Sequence, residues 1–186
     1  RAISYLTQAI ELDSTLIEAY IMRADLYEAQ GRIDEAYQDY DQVLQLEPTD
    51  LAEYLAKANV AERFAPPDLA LTLYDHVLAL DPGNSQAYYA ALALYDRLSD
   101  YSGAVQLISN MIATVETNVL STIELNNIQL GNLYADRAYR YLQAGEREKA
   151  TEDYRKGLEL GAWVYNASFE ELLSLIPDSA QLYYLA

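Results

Sequence analysis

The sequence predicts an all-α fold, a solenoid of stacked antiparallel helix pairs, and three observations support this prediction. Alanine recurs with a fixed period of 34 residues, at Ala2, Ala36, Ala70 and Ala104. Within each period, apolar residues recur at the spacing of one helix face. Glycine and proline stand where a helix pair has to turn or stop. A strict period of this length is typical of supersecondary units that bury a shared core with their neighbours.

The first residues begin inside this period. Residues 1–16 carry apolar side chains at helical spacing and end at Asp13-Ser14, which predicts the second helix of a truncated repeat. Three complete two-helix repeats are predicted at residues 17–50, 51–84 and 85–118. Because the sequence opens in the middle of a repeat, we expect it to be a piece of a longer chain.

The first complete repeat sets the pattern. Tyr20, Ala24 and Tyr27 share one face of its first helix, so they are expected to be buried together. Gly31 suits the left-handed conformation that commonly closes a helix. Pro48 stops the second helix because proline has no amide hydrogen to donate.

This unit resembles the tetratricopeptide repeat family. The family pattern has a large aromatic residue, a Leu-Gly pair, a Tyr, an Ala, an aromatic residue and a closing Pro. The matching positions of the first repeat hold Tyr20, Arg23-Ala24, Tyr27, Ala36, Tyr40 and Pro48. The next two repeats keep the phase, with Tyr54, Ala70, Tyr74 and Pro82, and then Tyr88, Tyr95 and Ala104. The resemblance implies a right-handed superhelix whose first helices line a concave groove.

The phase breaks after the third repeat. Ala104 and Ala150 are 46 residues apart, so residues 119–130 are predicted to be an insertion that extends the first helix of a repeat at 131–164. A capping-box spacing at Ser121-Thr-Ile-Glu124 predicts that this helix runs from about residue 122 to about 143. Gly131 is expected to kink or loosen it. Residues 165–186 are predicted to form C-terminal capping helices.

Composition excludes several classes of function. A net charge of −17 argues against binding to nucleic acid or to anionic lipid. The chain has no cysteine, which excludes disulfides and thiolate metal sites, and no apolar run long enough to span a membrane. Six of the 12 basic residues fall between Arg137 and Lys156, where we expect a solvated face carrying i,i+4 ion pairs.

No motif of an enzyme, a cofactor site or a metal site is present. The single histidine, His76, is expected to face solvent or the groove edge. Of the 18 tyrosines, eleven occupy repeating positions and are predicted to be core residues. Tyr89 and Tyr139 lie on the other face of their first helices, away from the predicted core, and are predicted to contact a partner.

The resemblance also places a partner-binding groove on the first helices. Its predicted residues are Ile21, Met22, Asp25, Glu28, Leu55, Asn59, Glu62, Arg63, Tyr89, Asp96, Arg97, Asp136 and Tyr139. The apolar anchors among them are Met22, Leu55, Tyr89 and Tyr139. Family receptors that clamp a C-terminal carboxylate use Lys, Arg and Asn at these positions, and here only Asn59 fits that set. The carboxylates instead predict a peptide partner with basic and apolar residues.

Two functions are compatible with this pattern. The first is a non-enzymatic scaffold that binds a protein, as a peptide or a helix, in the groove. The alternative is the regulatory region of a larger enzyme whose catalytic domain lies outside these residues.

Overall fold

The computed structural model describes residues 1–117 and 127–162, and every regular element within those ranges is an α-helix. The helices are α1 (Ala2–Leu12), α2 (Ile17–Ala29), α3 (Ile33–Gln45), α4 (Leu51–Phe64), α5 (Pro67–Leu80), α6 (Ser85–Leu98), α7 (Tyr101–Glu116), α8 (Asn127–Gln143) and α9 (Arg147–Glu159). The all-α prediction is confirmed. The predicted capping box at Ser121–Glu124 and the predicted helices of 165–186 lie outside the described residues.

The chain divides into two compact units, Arg1–Ala91 and Leu92–Ala186, each with its own core. In the first unit α2 packs against α3, and α4 packs against α5. Its core holds Ile10, Ile17, Tyr20, Ala24, Ala36, Tyr40, Val43 and Val60. In the second unit α8 packs against α7 and α9. The core between α8 and α9 holds Ala135, Ala138, Leu142, Ala150 and Tyr154. The tyrosines of these cores occupy repeating positions, as predicted, whereas Ala135 is a core residue that the repeat pattern did not select.

A tight glycine turn connects α2 to α3. Gly31 has φ 72°, and its amide donates to the Glu28 carbonyl over 2.9 Å. The next amide, that of Arg32, donates to the Tyr27 carbonyl over 2.9 Å. This pair of bonds satisfies the last carbonyls of α2 and requires a left-handed residue. The sequence-based prediction for Gly31 is confirmed.

The turn between α6 and α7 has the same geometry with a serine in place of glycine. Ser99 has φ 55°, and the following amide, that of Asp100, donates to the Tyr95 carbonyl over 3.0 Å. A side chain in this conformation is strained because its Cβ crowds the backbone.

Ser99→Gly is therefore expected to raise the free energy of unfolding by about 0.5 kcal/mol, since relief of strain outweighs the greater freedom of the unfolded chain. Urea denaturation monitored by circular dichroism measures the change. The converse substitution Gly145→Ser, at a glycine with φ 80°, serves as the control and should lower stability by about 1 kcal/mol. A less stable Ser99→Gly protein would contradict the account of this turn.

The basic segment differs from its predicted role as a solvated face. Arg137 is largely buried and pairs with Asp153, at 2.6 Å between Nε and Oδ2. Arg140 is only 7% exposed. The Lys149–Glu146 pair is an exposed local ion pair, at i,i+3 spacing. The expectation of a solvated face is wrong for these two arginines, which join helices, whereas the predicted i,i+4 pairing is present between Arg140 and Asp136, at 3.6 Å.

Candidate functional site

The predicted polar groove residues of the first unit lie at the hydroxyls of two buried tyrosines. The Tyr40 hydroxyl lies 2.6 Å from Asp25 Oδ1 and 3.1 Å from Glu28 Oε2. These acids belong to α2, whereas Tyr40 belongs to α3. The hydroxyl therefore holds in place two carboxylates of α2 that are predicted to line the groove.

The following repeat contains the same arrangement. The Tyr74 hydroxyl lies 3.1 Å from Asn59 Oδ1 and 2.8 Å from Glu62 Oε2. Each of these residues stands 34 positions after its counterpart in the first repeat. The tyrosines were predicted to be core residues, and their rings are buried, at 1% and 0% exposure for Tyr40 and Tyr74. Their hydroxyls contact polar side chains of α2 and α4, which together form an ordered polar row.

Arg63 joins the two repeats. Its Nη2 lies 3.2 Å from both carboxylate oxygens of Glu28, so α4 is tied to α2. The guanidinium also lies 4.5 Å from the centre of the Phe64 ring. The structure thus brings together five predicted groove residues, which are Asp25, Glu28, Asn59, Glu62 and Arg63.

The predicted apolar anchors of the first unit differ in exposure. Met22 is 57% exposed and Tyr89 is 65% exposed, so both can contact a partner without rearrangement. Leu55 is half-buried. Ile21 is half-buried and packs against the core of the unit, so only part of its side chain is open to a partner.

In the second unit, Arg140 lies between two predicted groove acids. Its Nη2 lies 2.8 Å from Asp96 Oδ2, and its Nη1 donates to the Asp136 carbonyl over 3.1 Å. Burial raises the pKa of Asp136, while the Arg140 guanidinium lowers it and Asp96 raises it further. The Tyr139 ring centre lies 5.4 Å from the same guanidinium. Arg97, the remaining predicted residue, is exposed.

Arg140 and a second set of buried charges were missed by the sequence analysis. Arg23 donates to both oxygens of Asp39, over 2.8 Å and 2.7 Å, and to Thr7 Oγ1 over 3.0 Å. In the second unit Arg137 contacts Asp153 and Ser109 in the same way. In each pair the arginine precedes the aspartate by 16 residues. This shared spacing is the signal in the sequence from which the pairs could have been predicted.

Among the described residues, no group of side chains has an arrangement typical of a catalytic site. His76 is exposed and stacks on the Tyr54 ring, with centroids 4.6 Å apart. Across residues 1–117 and 127–162, no group of three or more His, Cys, Asp or Glu side chains could hold a metal ion. In the same ranges no helix has the length and apolar character needed to cross a bilayer.

A Tyr–Lys pair in the second unit also lacks the electrostatics of a general base. Lys156 Nζ donates to the Tyr134 hydroxyl, which in turn donates to Glu116 over 2.6 Å. Burial raises the pKa of Tyr134, Glu116 raises it further, and Lys156 lowers it. Because the net shift is upward, the phenol stays protonated at neutral pH. The cluster ties α7, α8 and α9 together.

Tyr40 is expected to make the stability of the first unit depend on pH. Burial raises its pKa, with further upward shifts from Asp25 and Glu28, although the Arg63 hydrogen bond lowers it. In the unfolded chain a tyrosine titrates near pH 10. Stability from this group is therefore complete below about pH 10 and is lost as pH rises towards the folded-state pKa.

When the pH is raised from 9 to 11, the free energy of unfolding is expected to fall by about 1 kcal/mol less for the Tyr40→Phe variant than for the parent protein. Urea denaturation at the two pH values gives the difference. Tyr5→Phe, at a tyrosine that is 69% exposed, is the control and should follow the parent. Identical pH dependences for the parent and Tyr40→Phe would show that this hydroxyl is not protected from ionisation.

The comparisons with known proteins agree with the helical-repeat fold. A family model described as tetratricopeptide repeat matches residues 17–50. A crystal structure of MamA superimposes with a TM-score of 0.52 at 18% identity, covering 85% of this chain and 85% of that chain. The structure of YrrB, described as a TPR protein with an unusual peptide-binding site, gives 0.53 at 16% identity, covering 86% and 76%. No sequence among the curated proteins matches significantly.

A larger assembly shares the fold over a longer stretch. A chain in the structure of Naa15/Naa10 bound to HypK-THB superimposes with a TM-score of 0.61 at 18% identity, covering 98% of this chain and 27% of that chain. At these identities the likeness establishes the fold. The prediction of an all-α helical-repeat fold is confirmed, and the family model supports the tetratricopeptide repeat predicted at residues 17–50.

Proposed function

We propose, from the tetratricopeptide repeat at residues 17–50 and the all-α repeat fold around it, that this chain is a non-enzymatic protein-interaction scaffold. In this proposal a peptide or a partner helix binds along the first helices. The observation that carries it is the repeated polar row on α2 and α4, where buried tyrosine hydroxyls order Asp25, Glu28, Asn59 and Glu62. A row that is ordered before binding loses little side-chain entropy when a partner arrives.

The partner is proposed to carry basic and apolar residues. The row carries the carboxylates of Asp25, Glu28 and Glu62, and the chain as a whole has a net charge of −17, which favours a basic partner. The exposed Met22 and Tyr89, on the first helices of their repeats, supply apolar contact area. A tyrosine with most of its ring exposed on a rigid helix is well suited to be a binding anchor. Asp96, Arg97, Asp136 and Tyr139 are proposed as the corresponding contacts of the second unit.

The test begins with peptides selected from a random display library against the whole chain. Tyr89→Ala is expected to weaken a selected peptide by about 1–2 kcal/mol, roughly tenfold in dissociation constant, as for a contact-making anchor. Fluorescence anisotropy with the labelled peptide measures the affinity, and circular dichroism checks that helix content is retained. Addition of salt should weaken binding, since exposed charges are screened.

Tyr5→Ala is the matched control because Tyr5 is also highly exposed, at 69%, but lies on α1 outside the predicted groove. It should bind the peptide as the parent does. Equal loss for both variants, or no loss for Tyr89→Ala, would mean that the peptide binds elsewhere and that the groove assignment is wrong.

A further inference from the structure

A cleft of about 350 Å³ opens between α3 and the end of α4. Its lining residues are Tyr37, Gln38, Tyr40, Asp41, Leu44 and Phe64, and none of them is a predicted groove residue. Tyr40 stacks on Phe64 with ring centroids 4.5 Å apart, and Tyr37 meets Phe64 edge-on at 5.4 Å. The cleft is therefore walled by aromatic rings, one of which, Tyr37, is 53% exposed.

One carboxylate stands among these rings. Asp41 is exposed, and its Oδ2 accepts a hydrogen bond from Gln45 Nε2 over 3.1 Å. Within residues 1–117 and 127–162, no lysine or arginine of the chain forms an ion pair with Asp41, and none lies over the Tyr37 ring. The cleft thus combines an aromatic wall with a carboxylate that forms no ion pair within the described residues, while Arg63 lies against two of the rings, 4.5 Å from the centre of Phe64 and 5.3 Å from that of Tyr40.

Two places in the first unit, one of them at the cleft residue Phe64, show a guanidinium that contacts an aromatic ring and pairs with a carboxylate. Arg32 lies 4.3 Å from the centre of the Tyr27 ring while its Nη2 is 2.8 Å from Glu35. Arg63 lies 4.5 Å from the centre of the Phe64 ring while it pairs with Glu28 at 3.2 Å. A guanidinium fits such a place because its plane stacks on a ring while its edge donates to a carboxylate.

We propose that the cleft between α3 and α4 binds an arginine side chain of a partner protein, with the guanidinium against Tyr37 and paired with Asp41. An apolar side chain fits less well because it would remove water from Asp41 without offering a hydrogen bond. Lysine fits less well because its ammonium is more strongly hydrated and does not stack. The net charge of −17 favours the approach of a basic partner. This site is additional to the proposed groove, since it uses residues of α3.

The test uses three acetylated, amidated tripeptides with Gly-Arg-Gly, Gly-Lys-Gly and Gly-citrulline-Gly sequences. Each is titrated into the full isotopically labelled chain and followed by amide chemical shifts in NMR spectra. The arginine peptide is expected to shift the amides of residues 37–44 and of Phe64, and to bind about fivefold tighter than its neutral citrulline analogue. Equal affinities for these two peptides, or tighter binding of the lysine peptide, would overturn the proposal.

Two variants locate the contact. Asp41→Asn should weaken the arginine peptide about threefold and leave the citrulline peptide unchanged. Asp34→Asn, which removes a charge from the same helix outside the cleft, is the matched control and should bind as the parent does. If both variants weaken binding equally, only the general negative field attracts the peptide and the cleft assignment fails.

A groove variant separates this proposal from the scaffold function. Tyr89→Ala should bind the arginine tripeptide with unchanged affinity because Tyr89 does not line the cleft. Loss of binding in this variant would place the arginine in the groove and overturn the cleft site. Shifts of residues 37–44 that depend on protein concentration without peptide would assign the cleft to a second copy of the chain, which would also overturn it.

Discussion

Arg23→Ala is expected to lower the free energy of unfolding by about 3 kcal/mol, because it leaves a buried carboxylate without its partner. Asp39 is 4% exposed, and its two oxygens receive Arg23 Nε and Nη2 over 2.8 Å and 2.7 Å. The same arginine also donates to Thr7 on α1. Its removal therefore loosens both the α2–α3 pair and the attachment of α1. Urea denaturation of the parent and the variant measures the loss.

Arg32→Ala is the control for this experiment. Arg32, the residue before α3, forms an exposed ion pair with Glu35 at i,i+3 spacing, with side chains 44% and 41% exposed. Pairs of this kind contribute from nothing to about 1 kcal/mol. A loss for Arg23→Ala as small as that for Arg32→Ala would show that water reaches Asp39 and that the pair contributes little.

The double variant Arg23→Met/Asp39→Leu tests the origin of the loss. The next two repeats have leucine at the position of Asp39, namely Leu73 and Leu107. The fold therefore accepts an apolar side chain there. Replacement of both charges should recover most of the stability that Arg23→Ala loses, since no buried charge is left unpaired. A double variant as unstable as Arg23→Ala would mean that packing, not the unpaired charge, causes the loss.

The sequence predicted the cores because burial follows the period. Ala36 and Tyr40 share one helix face, and both are 1% exposed. Hydrophobic spacing along one helix contains this information directly. The position of Gly31 was equally predictable, since a left-handed turn between two amphipathic segments favours glycine.

The sequence did not predict the contacts that cross between helices. Asp25 was assigned to the groove because the resemblance to the tetratricopeptide repeat family places the groove on the first helices. Helical spacing does not show that the Tyr40 hydroxyl of α3 reaches it. Arg140 was missed for the same reason, since its partner Asp96 is 44 residues away. Polar pairing over such separations depends on how helices cross, which the pattern within one helix does not determine.

The cleft illustrates the same limit. Tyr37 is not one of the eleven repeating tyrosines, and nothing in its local sequence marks it as part of a site. Its importance comes from Phe64, which is 27 positions away and ends a different helix. The cleft could be recognised only once α3 and the end of α4 were placed beside each other.

Gly157→Ala is expected to lower the free energy of unfolding of the second unit by about 2 kcal/mol. A methyl group at this position would lie 2.9 Å from the Gly131 carbonyl oxygen and 3.2 Å from the Ala135 amide nitrogen. These are backbone atoms of α8, so relief requires the whole helix to move away from α9. The overpacking cost of about 1–3 kcal/mol, or more when backbone must shift, exceeds the gain of up to about 1 kcal/mol in helix propensity.

Gly131→Ala provides the decisive comparison because the added methyl meets the same crossing from the other side, 2.9 Å from the Gly157 carbonyl oxygen. Gly131 is buried, and its lack of a side chain allows the backbones of α8 and α9 to approach. Once one methyl has separated the helices, the second should cost less, so the double variant is expected to be less destabilised than the sum of the single variants. Strict additivity, or a stabilised Gly157→Ala protein in urea denaturation, would show that the two backbones do not touch at this crossing.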